Sequence, residues 1–359
     1  MDDRVRRHAE VLVDHCTDVD ADDDVVVRAP AAADDLVVAL YEQLGERGAR
    51  PTTSWVNPRA GAAYARAMDV DDFRTKDHRL AAMEETDVVI MVQGARNSAE
   101  SSDVDPETAA AAGRARQPVL DARLDTRWVI TQHPTPADAQ QAEMSTEAWT
   151  DFVYDAVNRD WAAQRAFQEQ LVEILDPASE VRIVAGEETD LRLSVDGMDA
   201  LNDAGESNMP GGEVYTAPAV DGVEGTVAID YPLRENGREI RDARLEFEAS
   251  EVVDFAAGSN EDALASLLDT DEGASRLGEL GIGTNRGIDQ FTHTILFDEK
   301  MGGTVHVALG NAVADAVPDE REANESARHV DLLVDVTEDA RIEVDGQVVQ
   351  RNGTFFFEE

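Results

Sequence analysis

The sequence predicts an α/β N-terminal domain with a largely parallel sheet, followed by a β-rich α+β C-terminal domain. Three observations lead there. Strand and helix signals alternate through the first half. Near Pro177 that alternation gives way to short strands separated by Gly, Asn and Asp. The chain's 359 residues are long for one compact core and natural for two. The expected domains are residues 1–177 and 178–359.

The β-branched run Val25-Val26-Val27 reads as the first strand, and 31–44 as an amphipathic helix that turns Leu36, Val37, Leu40 and Leu44 to one side. Segments 51–55, 88–92 and 128–130 add three strands, the middle one apolar enough for burial on both faces. Helices are expected over 106–116 and 149–175, the second stopped by Asp176-Pro177. No GxGxxG or P-loop pattern follows a strand, so no nucleotide cofactor is indicated. In the second half, 181–184, 191–195, 225–230, 245–247, 305–309, 332–336 and 341–344 read as strands, with one helix at 261–268.

The charge is the outlier. Asp and Glu number 76 against 31 Lys and Arg, a net charge of −45, and the only lysines are Lys76 and Lys300. Such a surface repels nucleic acids and anionic membranes. It suits concentrated salt, where screening shrinks to about 3 Å at 1 M. No apolar run approaches the roughly 18 residues of a membrane span. Met1-Asp2-Asp3-Arg4 lacks the apolar core of a secretion signal, which points to a salt-loaded cytoplasm. A single Cys16 excludes an internal disulfide and reads as a small core residue. His8, His15 and His78 fall in polar helical stretches and are expected at the surface. Arg127, Arg182 and Arg192 are expected to pair with the abundant acids.

The chemistry concentrates in the second half. In His329-Val330-Asp331 a strand would put both polar side chains on one face, able to aim a nitrogen and a carboxylate at one ion. By itself an HxD pair is commonly a solvated face. His306 sits within a strand of small and apolar residues closed by glycines, which permit close backbone approach. Glu213 follows Pro210-Gly211-Gly212 at the mouth of a strand, and Glu279 lies in Gly278-Glu279-Leu280-Gly281-Ile282-Gly283. Two glycine-framed acids and two histidines in one half make an oxygen and nitrogen donor set for divalent ions.

The segments NMPGGEVYTAP, LGELGIGTN, ILFDEKMGGTVHVALG and NESARHVD resemble the aminopeptidase T family of dinuclear metallo-aminopeptidases, in an acid-rich, haloarchaeal-looking version. TQHPTPADAQQAEMS and DGQVVQRNGTF extend the likeness over most of the chain. The resemblance implies an exopeptidase that removes N-terminal residues from peptides through a water bridged by two divalent ions, zinc, cobalt or manganese. It also implies a homodimer. Carried over by position, the metal ligands are Glu213, Glu279, Glu299, His306, His329 and Asp331. Glu279 is the first candidate for general base and Glu299 the second. One departure stands out. The family has a tyrosine seven residues after the histidine of HVALG, and this chain has Val313, which can donate no hydrogen bond to a developing oxyanion. Tyr215 or Tyr231 is the available substitute. The alternatives are a metal-binding homologue with weak or lost peptidase activity, and a hydrolase of non-peptide amides.

Overall fold

The computed structural model describes residues 1–358 except Ala95, Asn236 and Gly237. They form two compact units, the first made of Met1–Arg159 and Gly205–Gly211, the second of Asp160–Ala204 and the residues from Gly212 onward. The second unit thus begins before Pro177. The helix Trp161–Leu175 belongs to it, because Leu171 and Leu175 lie in its core.

The first unit is an α/β layer. Its sheet runs in the order Arg50–Val56, Asp24–Pro30, Val88–Gln93, Arg127–Gln132, Asn208–Met209, and every pairing is parallel. Residues 88–92 are buried throughout, as a central strand covered on both faces requires. The helix Asp34–Arg47 buries Leu36, Val37, Leu40 and Leu44, and stops at Gly48 in the left-handed conformation.

Three expectations change here. The helix expected to end at Arg116 runs on to Leu124 with Pro118 inside it. The single helix expected over 149–175 is two, Thr146–Val157 and Trp161–Leu175. The Asp160 carboxylate accepts the Ala163 N–H and starts the second, a cap that competes with continued winding. His8 is fully buried, not exposed. It shares the inward stripe of the helix Asp3–Glu10 with Val5 and Ala9, and its Nε2 lies 2.8 Å from Thr131 Oγ1. Cys16 is buried, and Arg127 and Arg182 pair with Asp23 and Asp190.

The second unit is β-rich, and its strand pairings are antiparallel. An eight-stranded sheet contains the expected strands Glu180–Ala185, Thr189–Ser194, Val223–Ala228, Arg244–Glu248 and Ala340–Val344. A five-stranded sheet runs His329–Asp335, Thr304–Gly310, Leu277–Gly283, Glu213–Thr216, Leu201–Asp203. Apolar residues of both sheets meet in one core with Leu264 and Leu267 of the helix Glu261–Leu268. The strand Leu277–Gly283 was not expected, because glycines at three of its seven positions mask its pattern. Among the described residues no helix is long and apolar enough to cross a membrane.

Candidate metal centre

The five-stranded sheet has two unlike faces. Val214, Leu277, Leu280, Ile282, Val305, Val307, Leu309, Leu332 and Val334 point into the core. Alternation then turns Glu213, His306, His329 and Asp331 to the opposite face. A register shift between Leu277 and Glu279 brings Glu279 there as well.

Register explains how large polar groups fit on that face. Glu213 lies opposite Gly283, His306 opposite Gly281, Asp331 and Glu279 opposite Ala308, and His329 opposite Gly310. Each donor thus faces, on one flanking strand, a residue with one side-chain carbon or none; on the other, His306 lies opposite Leu333 and Glu213 opposite Asp203. At Gly281 the demand is strict, since a Cβ there would run into the His306 ring.

The donors converge in two overlapping triads, Glu213–Glu279–His306 and Glu279–His329–Asp331, with one ligand atom from each member within 4.8 Å of the others. Glu279 belongs to both. Its Oε1 lies 3.5 Å from His306 Nε2 and its Oε2 3.1 Å from His329 Nε2. His306 Nε2 is also 3.6 Å from Glu213 Oε2, and His329 Nε2 is 3.4 Å from Asp331 Oδ1.

Both imidazoles are held from behind. His306 Nδ1–H donates to the Glu299 carbonyl at 3.2 Å, and His329 Nδ1–H to the Asn311 carbonyl at 2.9 Å. A carbonyl can only accept, so each Nδ1 carries a proton and each Nε2 faces the carboxylates. This is the outer support that orients metal-binding histidines. Glu213 is steadied through its backbone, whose carbonyl accepts from Gln168 Nε2 at 2.7 Å.

The electrostatics fit a centre built for cations. Burial pulls the His306 pKa down, but Glu279, Glu213 and Asp331 outweigh it and hold it at about 10. Hydrogen bonds to Asp331 and Glu279 hold His329 at about 11. Burial pushes Glu279 up, yet the two histidines together bring it down to about 2. Glu213 is pushed up to about 8 by burial, partly offset by Lys300. Its Oε2 is buried with no hydrogen-bond partner, a carboxylate oxygen aimed at the triad and unsatisfied there. The protein without ions thus places protons where positive charge is needed, and the donor set fits two divalent ions.

Glu299 lies outside both triads. It follows the short helix Ile295–Asp298, in a loop fixed by Asp298, which accepts the N–H groups of Thr292 and Thr294. Its carboxylate pairs with Lys300. Two neighbours, Lys300 and Asp203, went unread in the sequence. Lys300 is fully buried, 2.8 Å from Glu213 Oε1 and 3.6 Å from Asp203 Oδ2. The signal for Lys300 was its being one of only two lysines in the chain, and the one beside Glu299.

Comparison with known proteins agrees with the site. The thermophilic metalloprotease (M29) family profile matches residues 1–358. Aminopeptidase 2 of Geobacillus stearothermophilus is 28% identical, over 98% of this chain and 97% of its own. Aminopeptidase AmpS of Bacillus subtilis is 34% identical over 45% of this chain and 44% of its own. The structure of wild-type AmpT from Thermus thermophilus shares the fold with a TM-score of 0.86 at 24% identity, covering 99% of both chains. That of 2,5-dihydroxypyridine dioxygenase from Pseudomonas putida KT2440 does so with a TM-score of 0.60 at 15% identity, covering 98% of this chain and 96% of its own. The fold therefore carries more than one chemistry, and residues must choose between them. With both donor triads in place and the profile matched from end to end, this chain belongs to the thermophilic metalloprotease family M29.

Proposed function

We propose that this metallo-aminopeptidase releases N-terminal residues from peptides at the paired triads, where two divalent ions would be held with Glu279 as the residue common to both donor sets. The observation that carries this reading is the membership of Glu279 in both donor sets. Glu213 and His306 complete one site, and His329 and Asp331 the other. When bound, the ions supply Lewis acidity toward the scissile carbonyl and lower the pKa of water. Zinc, cobalt and manganese all accept these oxygen and nitrogen donors.

Both Glu279 oxygens face histidines, which favours a structural, shared role for this residue over that of base. Glu299 has one oxygen on Lys300 and the other uncommitted by any described hydrogen bond. It is the better proton acceptor, taking a proton from the attacking water and returning it to the leaving amine. The acid excess supports a salt-rich cytoplasm and disfavours nucleic-acid partners; the resemblance to aminopeptidase T supports a homodimer.

A second reading, ion binding with weakened hydrolysis, is favoured by Val313. Its N–H donates to the Gly278 carbonyl at 3.4 Å, so the loop carrying it abuts the residue before Glu279, yet its side chain has no donor. Tyr215 is the substitute we favour. It lies two residues from Glu213 on the same strand, and its hydroxyl pKa is raised by burial and by Asp203, Glu213 and Glu279 among other acids. Tyr231 is engaged with Asp335.

The test is amino-acid release from dipeptides at molar potassium chloride, after chelation and after zinc, cobalt or manganese is restored. Turnover that needs a free α-amine and returns with metal supports the first reading. Tight ion binding without turnover supports the second.

A further inference from the structure

Resting on the two-ion reading above, we infer that Lys300 is a positioning residue, a resident third cation that leaves Glu213 one oxygen for an ion. Lys300 is fully buried, and a buried ammonium persists only where carboxylates surround it. Its Nζ donates to Glu213 Oε1 at 2.8 Å, pairs with Glu299, and lies 3.6 Å from Asp203 Oδ2. Three N–H donors thus meet three carboxylates.

The division of labour on Glu213 is explicit. Oε1 is taken by Lys300, while Oε2 has no hydrogen-bond partner and faces His306 Nε2 at 3.6 Å. A carboxylate pinned by one oxygen binds through the other. Formal charge points the same way. Glu213, Glu279, Glu299, Asp331 and Asp203 carry one more negative charge than two divalent ions neutralise, and Lys300 supplies the missing positive charge.

Residue choice adds a third argument. The chain has only two lysines, and this one sits where a compact charge with three rotatable donors is required. A planar guanidinium with five fixed donors does not suit that geometry.

The competing idea is that Lys300 merely fills the space of an ion and is displaced on loading. Stepwise Mn²⁺ titration of the chelated full-length protein by calorimetry separates the two, comparing wild type with Lys300→Met. We expect wild type to bind two equivalents. In the variant, one equivalent weakens by about ten- to a hundredfold and the other keeps its affinity, the usual cost of losing an orienting partner. Unchanged or tighter binding of both makes Lys300 a placeholder and overturns the inference. Equal weakening of both, with a lower melting temperature, reduces it to a general packing role and overturns it as well. If Lys300→Met does not fold, Lys300→Gln isolates the charge, since it keeps a donor for Glu213: weakening of one equivalent supports the third-cation role, and unchanged binding of both overturns it. Failure of wild type to bind two ions is a separate outcome that removes the two-ion reading itself.

Discussion

Glu279 Oε2 lies 3.1 Å from His329 Nε2, while its other oxygen faces His306 from the far side. One side chain therefore ties two imidazoles from two different strands into a single cluster. Replacing Glu279 with Gln keeps the shape and removes the charge both halves share. We expect loss of turnover of at least about 10²-fold, because both ion sites lose the ligand they share and loss of an outer support alone costs about 10- to 100-fold, with the fold retained by circular dichroism. Peptide turnover within tenfold of wild type contradicts the assignment.

Ion uptake is expected to release protons. His306 and His329 titrate at about 10 and 11 without ions, so both are protonated at pH 7–8 and must lose the Nε2 proton to bind a cation. Affinity then rises with pH up to that range. The same shifts mean that the charged histidines stabilise the ion-free protein fully below about pH 6.5, and that this stability is lost as pH rises through 10–11. Calorimetry in buffers of different ionisation enthalpy checks the release; a heat independent of buffer argues against it.

Gly281→Ala is expected to weaken ion binding by about tenfold or more, because the new Cβ meets the His306 ring and an imidazole moved off its support is a poor ligand. Gly61→Ala is the matched control. That glycine is in the helix Pro58–Ala67 with nothing within 4 Å of the added carbon, so the change should be neutral or stabilising by about 0.5–1 kcal/mol. Parallel melting curves and metal titrations of the two variants should diverge; equal behaviour removes the steric argument.

His8 predicts a loss of stability in acid. Burial, with a smaller contribution from His133, holds its pKa down at about 3. A lowered histidine pKa gives stability that is present above the unfolded value of about 6.5 and is lost as pH falls toward 3, at roughly 1.4 kcal/mol per unit. Chemical denaturation at pH 7 and pH 5 should show a steep slope in wild type and a shallower one in His8→Gln. Equal slopes would falsify a neutral buried His8.

Val313→Tyr is expected to raise kcat with little change in KM if a donor at this loop position is what the chain lacks. Tyr215→Phe should lower kcat by about tenfold or more if Tyr215 already supplies the donor. Steady-state kinetics of the two variants at high salt distinguish these cases.

Much of this was legible in the sequence. Val25–Val27, residues 88–92 and the alternating strands of the second half declared themselves through β-branching and period-two burial. Glycines marked Glu213, Glu279 and His306, the i, i+2 spacing marked His329 and Asp331, and the family resemblance named the five together as ligands. The sharing of Glu279 could not be read, since it depends on a register shift and on cross-strand partners far apart in sequence. Lys300 was hidden for a related reason: its three carboxylates come from residues 203, 213 and 299. The break at Asp160 escaped because apolar residues continue on both sides of it, and His8 because a polar helix with one inward histidine looks like a surface helix.

The sharing of Glu279 is tested most directly by anomalous diffraction from zinc-soaked crystals. Two peaks about 3.5–4 Å apart are expected, as in other two-metal centres, with one Glu279 oxygen on each, Glu213 and His306 beside the first, His329 and Asp331 beside the second. A single peak, or two peaks with Glu279 bound to only one of them, contradicts it.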